Sequence, residues 1–405
     1  MNKNVIVLGG DGFCGWPSSL HLSKCGYNVT IVDNLIRRKI DVELECDSLT
    51  PIKSINKRIE TWKELTGKII NFEYIDIAKE YHKLLNLLKK LKPIVVVHFA
   101  EQRSAPYSMK TNFHKSYTIN NNINATNNIL MAIVEAELQK ITHFVHLGTT
   151  GSAGYVTTPM DIPEGYLNVD VKTDNGIEMM EFPWPLHSPS IYHWTKSAEF
   201  LLFQFFNKND GIQCSDLRQG IVWGTQTKET VLHENLINRF DYEGDYGTCL
   251  NRFLMQSQIN HPLTVHGTGG QTRAFIHIQN TVECIELAIK KPPENKNKVR
   301  VLNQVTECMN VKDLAELISK KTGCEIRYFK NPRVEAEENS LRFNTRGFKE
   351  LGLNFITLNN GLLNEIIKIS KKYKHRCNKS KVICTSLWNK NRTVDLKGSK
   401  TPVKG

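Results

Sequence analysis

A doubly wound α/β fold, a parallel sheet with helices on both faces followed by a second and smaller α/β domain, is the architecture this sequence predicts. Three observations carry it. Short Val/Ile-rich runs alternate with segments of helical period through the first half of the 405 residues, the pattern of βαβ units. These runs are continuously apolar, as strands buried on both faces must be. The first run ends in glycines spaced for a turn from strand into helix.

Taken in order, the expected strands are Val5–Leu8, Val29–Val32, Ile70–Tyr74, Ile94–Phe99 and Phe144–Leu147. Between them Trp16–Cys25, Lys79–Lys90 and Asn122–Glu137 carry apolar residues at helical spacing. From about Thr225 the texture changes to loops rich in Gly, Asn and aromatics. Short strands are expected there at Leu263–His266 and Phe275–Ile278, and helices at Val282–Lys290 and Val311–Thr322. Pro292–Asn297 is a turn or linker, and Asn359–Lys372 a last amphipathic helix. The expected domains are 1–222, 223–370 and a tail at 371–405.

Charge and cysteine usage exclude several function classes. The net charge is +12, from 53 Lys/Arg against 41 Asp/Glu, and the stretch from Lys371 onward holds eleven of the basic residues and one acid, Asp395. That tail accounts for +10 and leaves +2 for the body, so no nucleic-acid partner is expected. The tail reads as a poorly ordered or surface-wrapping end, making at most a peripheral contact with an anionic membrane. Ten cysteines without a C-x-x-C pair or a Cys/His cluster suggest reduced thiols and no metal site. Residues 1–8 enter the first strand without signal or transit features, and no apolar run approaches the roughly 20 residues of a membrane span. A cytoplasmic chain is expected.

Gly9-Gly10-Asp11-Gly12-Phe13-Cys14-Gly15 places glycine at 9, 12 and 15. Those positions serve a tight turn, close backbone approach to a pyrophosphate, and packing of helix on sheet, with the anion at the helix N-terminus. Asp33 ends the second strand eighteen residues beyond Gly15. Its carboxylate can accept both hydroxyls of a ribose and repels a 2′-phosphate, so NAD is favoured over NADP. Arg37 and Arg38 cut both ways, since an arginine there can stack on adenine or receive a 2′-phosphate. Asp76 is an adenine contact or a helix N-cap.

Tyr192-His193-Trp194-Thr195-Lys196 is a Y-x-x-x-K, which on a helix sets phenol and ammonium one turn apart. The ammonium favours the phenolate, making the tyrosine a general base or acid near neutral pH. Thr149, at the end of a strand, can hydrogen-bond a substrate hydroxyl and the oxyanion that develops from it.

Together, Gly9–Gly15, Asp33, Asn122, Thr149, Tyr192 and Lys196 resemble the extended short-chain dehydrogenase/reductases, the NAD-dependent epimerase/dehydratase family. The blocks GGDGFCGW, SLTPI, HFAEQRSAPYSM, YHWTK, RFDYEGDYGT, LNRF, HPLTVHGTGGQTRAFIHI and NPRVEAEEN look like a branch that makes a sulfonated sugar nucleotide from UDP-glucose and sulfite for sulfolipid synthesis. The resemblance runs from residue 5 to beyond 350. It implies a Rossmann-type cofactor domain and a nucleotide-sugar domain whose segments cross back to the first. It further implies a homodimer and a possible sulfite-donating protein partner. NAD would be held by Gly9, Asp11, Gly12, Phe13, Cys14, Gly15, Asp33, Asn34, Arg37, Asp76, Ile77, Phe99, Ala100, Asn122, Tyr192, Lys196, Gln219 and Val222.

The chemistry implied is a proton taken by Tyr192 from the sugar 4-hydroxyl as hydride leaves C4. Lys196 would hold the cofactor ribose and lower the Tyr192 pKa, and Thr149 would bond O4. Loss of H5 and the C6 hydroxyl, addition of sulfite at C6 and return of the hydride would follow. His193 would act as acid for the C6 hydroxyl or as a base nearby, although a lone histidine is more often a structural hydrogen-bonder.

Gln102 and Arg103 would face the C6 end, Arg103 meeting the sulfonate, with a surface ion pair to Glu101 as its alternative. Gln219 would touch the sugar, and Thr248, Asn251, Arg252, Thr264 and His266 the nucleotide. Arg273 and Arg333 would clamp the pyrophosphate, and Glu335 would accept the uridine ribose unless it is simply solvated. Two departures stand out: Ser152, where relatives can carry an acid, and Arg218. The rivals are a UDP-glucose 4-epimerase or nucleotide-sugar 4,6-dehydratase and, from another class, a non-catalytic NAD-binding or RNA-associated protein. The HFAEQRSAPYS and NPRVEAEEN runs oppose the first rival; intact Thr149, Tyr192 and Lys196 oppose the second.

Overall fold

The computed structural model describes residues 3–155, 157–359 and 363–404. Seven strands form its main sheet: β1 (Asn4–Leu8), β2 (Asn28–Asp33), β3 (Ile70–Tyr74), β4 (Val95–His98), β5 (His143–Thr149), β6 (Gln213–Gln219) and β7 (Arg300–Gln304). All neighbours are parallel, in the order β3-β2-β1-β4-β5-β6-β7. The order reverses between β1 and β4, which opens a crevice at the carboxyl ends of those strands.

The apolar runs are continuous because successive residues serve two layers. Val5 and Val7 pack with Trp16, Leu20 and Trp62 on one face, while Ile6 and Leu8 pack with Leu84, Leu88 and Ile129 on the other. Helix Gly15–Lys24 covers the first face. Helices Tyr81–Leu91, Asn112–Glu135 and Ile191–Asp210 cover the second. The second of these begins ten residues before the expected Asn122. Its first two turns, residues 112–119, mix polar and aromatic residues with Phe113 exposed, and Thr111 caps it by accepting from the His114 amide.

Beyond β6 the chain builds a second core around Trp223, Phe240, Tyr242, Phe253 and Leu254, each at most 1% exposed. Leu263–His266 pairs in parallel with Ile326–Phe329. Gly270–His277 pairs with Glu307–Asn310 and Ile221–Trp223, so the expected strand Phe275–Ile278 starts earlier, and Ile278 opens the helix Ile278–Lys290. The segment Arg300–Gln304 returns to the main sheet as β7.

One feature was not expected, and two others bear on expectations above. An antiparallel hairpin, Tyr166–Thr173 with Gly176–Pro183, has its second strand wholly exposed; the alternation of Leu167, Val169 and Val171 with polar residues in its first strand was its only sign in the sequence. Residues 360–362 of the expected last helix lie outside the described residues, and the helix runs Leu363–Tyr373. The tail is packed, with Tyr373, Val382, Cys384 and Ser386 buried and Ser399 bridged to Tyr328. Among the described residues no helix is long and apolar enough to cross a membrane.

Candidate active site

At the carboxyl edge of β1 the glycine loop is as tight as glycine permits. Gly9 has φ +78°, and a Cβ there would lie 2.7 Å from the Ala100 amide nitrogen. A Cβ on Gly15 would lie 2.1 Å from the Gly9 carbonyl oxygen, whereas one on Gly12 would meet only that oxygen, at 3.1 Å. Gly12 therefore leaves its outer side open to a close anion. Asp33 takes hydrogen bonds from the Asp11 and Leu35 amides, at 2.9 and 2.7 Å. Withdrawal from water and the Asp11 charge push its pKa up to about 6.

Asp11 itself is held by Arg38, at 2.6 Å, and by the fully buried Arg58, at 2.8 Å. Arg37 pairs with Asp41 and Asp241 and lies 3.9 Å over the Tyr246 ring. Both arginines of the 2′-phosphate question are thus engaged with carboxylates. The open glycine cradle and the carboxylate at the end of β2 fit a dinucleotide with an unmodified ribose.

The helix Ile191–Asp210, capped by Ser190, brings Tyr192 and Lys196 to the same cavity. Lys196 Nζ lies 2.5 Å from Glu101 Oε2, 2.7 Å from the Leu147 carbonyl and 3.0 Å from His146 Nε2. Glu101, His146 and Glu199 could by spacing share a cation, and the Lys196 ammonium stands in their midst. His21, Cys25 and Glu286 form a similar group outside the cavity.

Tyr192 is pushed up to about 12, chiefly by its low-dielectric surroundings. Lys196 and a hydrogen bond with Thr149 pull it down, and Glu101 pushes it back up. The expected descent toward neutrality is absent because burial outweighs the ammonium, with Glu101 adding to the rise. His193 Nδ1 lies 2.8 Å from Ser190 Oγ, and Nε2 lies 3.3 Å from the Tyr155 hydroxyl. Burial, then the charges of Arg333 and Arg273, hold its pKa down to about 3, so the imidazole is neutral at neutral pH.

Every residue expected in the site lines this one cavity except Asn122 and Asn251, which stand behind its wall. Asn122, fully buried, clips the Gln102 backbone at 2.8 and 3.0 Å; its Nδ2 also reaches Thr195 on the Ile191–Asp210 helix. Arg103 pairs with Asp241 at 2.5 Å, not with Glu101. Gln219 donates to Thr281 at 3.0 Å. Glu335 is bound by Arg273 at 2.5 Å and by Asn331 at 2.8 Å. Along the cavity, Thr248 Oγ1, Arg252 Nε and Gln271 Nε2 are buried with no hydrogen-bond partner in the protein, a demand that a polar ligand would meet.

Neither departure reaches the cavity. Ser152 Oγ donates to the Thr149 carbonyl at 2.8 Å, and Arg218, on β6 between β5 and β7, pairs with Asp216 at 3.2 Å. Glu101, His146 and Tyr155 were not singled out by the sequence reading. Glu101 was in view only as a partner for Arg103, and a tyrosine following a strand-end loop has no motif to mark it.

The NAD dependent epimerase/dehydratase family profile matches residues 5–176. Over 393 residues, 96% of this chain and 80% of the relative, the chain is 44% identical to the UDP-sulfoquinovose synthase, chloroplastic, of Spinacia oleracea. It is 38% identical to the UDP-sulfoquinovose synthase of Sulfolobus acidocaldarius, over 82% of this chain and 84% of that protein. Among solved structures, the UDP-glucose 4-epimerase of Thermotoga maritima with UDP-glucose superposes with TM-score 0.66 at 20% identity, covering 92% of this chain and 99% of that one. The Thermus thermophilus UDP-glucose 4-epimerase complex with NAD gives 0.62 at 17% identity, covering 92% and 99%; both show the fold. With relatives this similar along almost its whole length, the chain belongs to the NAD dependent epimerase/dehydratase family, among its UDP-sulfoquinovose synthases.

Proposed function

We propose that the protein converts UDP-glucose and sulfite to UDP-sulfoquinovose, and the observation that carries this is its similarity to two such synthases across most of the chain. The cofactor is NAD, which when bound supplies a hydride acceptor for C4 and gives the hydride back. The glycine loop and Asp33 hold its diphosphate and adenosine ribose. Tyr192 takes the proton of the sugar 4-hydroxyl, Thr149 hydrogen-bonds O4, and Lys196 keeps positive charge beside the phenolate. The 4-ketone acidifies H5, which permits loss of the C6 hydroxyl and addition of sulfite at C6.

Arg273 and Arg333 suit the diphosphate by charge and planar donor geometry. Arg103, at the C6 end, suits the incoming sulfonate. The test is incubation with UDP-glucose, with and without sulfite, followed by mass spectrometry of the nucleotide sugars. A sulfite-dependent UDP-sulfoquinovose is expected; UDP-galactose or a 4-keto-6-deoxy sugar formed regardless of sulfite would favour the epimerase or dehydratase reading.

A homodimer is the assembly this reading includes. Trp194, Leu201 and Phe205 recur on the outward face of the catalytic helix at 48, 62 and 57% exposure, and a second copy of the chain would cover them. Light scattering should give twice the 46.3 kDa chain mass, and Leu201→Lys should halve it.

A further inference from the structure

Dehydration across C5 and C6 needs one group to take the C5 proton and another to protonate the departing hydroxyl. No carboxylate stands ready for either task. Of the acids on the cavity wall, Asp11 is bound by Arg38 and Arg58, Asp33 by two backbone amides and Glu101 by Lys196. Asp76 accepts from the Ala78 amide at the cofactor end, Asp245 is held by Lys110 and Ser386, and Glu335 by Arg273 and Asn331. Ser152 is turned onto the Thr149 carbonyl.

Two groups remain at this end of the cavity, Tyr155 and His193, the latter with a neutral imidazole. The Tyr155 hydroxyl lies 3.3 Å from His193 Nε2, and the rings meet edge to face at 5.8 Å. The Arg273 guanidinium sits 4.1 Å over the Tyr155 ring, and Asn339 Nδ2 anchors the Tyr155 carbonyl at 2.8 Å. A Cβ on Gly151 would come within 2.3 Å of His193 Nε2 and 3.0 Å of the Tyr155 hydroxyl. Only glycine at 151 lets the strand-end loop close over this pair.

We propose that Tyr155 is the catalytic acid of the dehydration, with His193 as its base; the assignment rests on the reaction given above. His193 Nε2 takes H5, the electron pair of the C5–H bond becomes the C5–C6 double bond, and the C6–O bond breaks with its own pair. The Tyr155 proton goes to that oxygen, which leaves as water. The imidazolium then passes its Nε2 proton to the phenolate beside it, and both groups end as they began.

Bisulfite adds in the reverse sense. Its sulfur lone pair forms the S–C6 bond, C5 takes a proton through His193, and the bisulfite proton passes to Tyr155 to make good the loss. A neutral histidine is what the first step requires. Burial, then the Arg333 and Arg273 charges, hold His193 down; a substrate diphosphate would offset the arginine part and so raise its basicity once substrate is bound.

Tyr155→Phe keeps the ring under Arg273 and removes only the hydroxyl. In the full-length protein with NAD bound, the variant should reduce its cofactor on UDP-glucose at the wild-type rate. Its sulfite-dependent formation of UDP-sulfoquinovose should fall roughly 100-fold or more. UDP-6-deoxy-6-fluoroglucose, whose fluoride departs with little help from a proton, should bring the variant back near the wild-type rate, a rescue that a purely structural role would not produce. Unimpaired product formation by the variant, or a loss that the fluoro substrate leaves in place, overturns the assignment. Wild-type protein that makes no sulfite-dependent product overturns the reaction beneath it, so the two failures are told apart.

Discussion

Lys196 Nζ and Glu101 Oε2 are 2.5 Å apart, both side chains at most 5% exposed, so the lysine of the Y-x-x-x-K pair spends much of its field on a carboxylate rather than on Tyr192. His146 lies 3.0 Å from the same ammonium and is itself raised to about 10; burial and Lys196 act against that rise, and Asp216, Glu101 and Glu199 outweigh them. Glu101→Gln would leave the two cations facing each other with one anion fewer. It should cost about 3 kcal/mol, the low end for breaking a buried pair, because Glu199 and Asp216 persist. It should also lower the Tyr192 pKa, moving the acid limb of the cofactor-reduction rate to lower pH. Stopped-flow pH profiles and urea midpoints check both, and an acid limb that stays or moves to higher pH would sink the argument.

Gly15 is a second point at which a single atom decides. A methyl there would sit 2.1 Å from the Gly9 carbonyl oxygen and 2.8 Å from Gly10 Cα, contacts that backbone cannot yield without opening the loop. Gly15→Ala is expected to purify without NAD or to be insoluble, whereas Gly26→Ala, with nothing within 4 Å of its Cβ but φ +90°, should cost only about 1 kcal/mol and keep its cofactor. Cofactor released on heat denaturation, measured for both variants, separates the two effects.

The cofactor half of the site was legible because its chemistry needs fixed spacings. Gly9, Gly12 and Gly15 have to recur at three residues, and Tyr192 and Lys196 at four, and local geometry alone then places them. Arg37 was not legible in the same way. Its partners Asp41 and Asp241 include one 204 residues away, and nothing in the local sequence tells a cofactor contact from an ion pair. Tyr155 and Glu101 reach Tyr192 and Lys196 only when the loops after β4 and β5 meet the Ile191–Asp210 helix. The strand β7 was missed because Arg300–Gln304 carries two polar residues at its end, Asn303 and Gln304, both buried by the crossing back of the chain.

Asp33 makes cofactor binding depend on pH in a stated direction. Its carboxyl is raised from 3.8 to about 6 in the fold. Between those values the folded chain therefore holds a proton that the unfolded chain has released, so this group favours the apo fold as pH falls and works against it as pH rises through about 6. Binding of a ribose diol needs the ionised form and runs the other way. NAD affinity of apo protein should be roughly tenfold weaker at pH 5 than at pH 7.5, with a proton released on binding near pH 5.5. Fluorescence titration in buffers of different ionisation heat reads both, and an affinity that is flat or rises on acidification would remove Asp33 as the ribose acceptor.

The basic tail packs against the loop that carries Arg333 and Glu335. The Trp388 amide donates to the Pro332 carbonyl at 3.1 Å, its ring lies 5.2 Å from the Arg333 guanidinium, and Arg392 donates to the Asn331 carbonyl. Asn331 in turn holds Glu335 at 2.8 Å. The tail thus brackets the short loop that carries Arg333 and Glu335. Trp388→Ala removes one cation–π contact worth about 0.5–1 kcal/mol, without touching Thr149, Tyr192 or Lys196. If that contact positions Arg333 for the diphosphate, KM for UDP-glucose should rise roughly two- to fivefold with kcat little changed. A tail whose role is charge alone predicts instead that Trp388→Ala leaves KM unmoved while Lys390→Gln and Lys397→Gln alter it. Steady-state kinetics on these three variants decides between shape and charge.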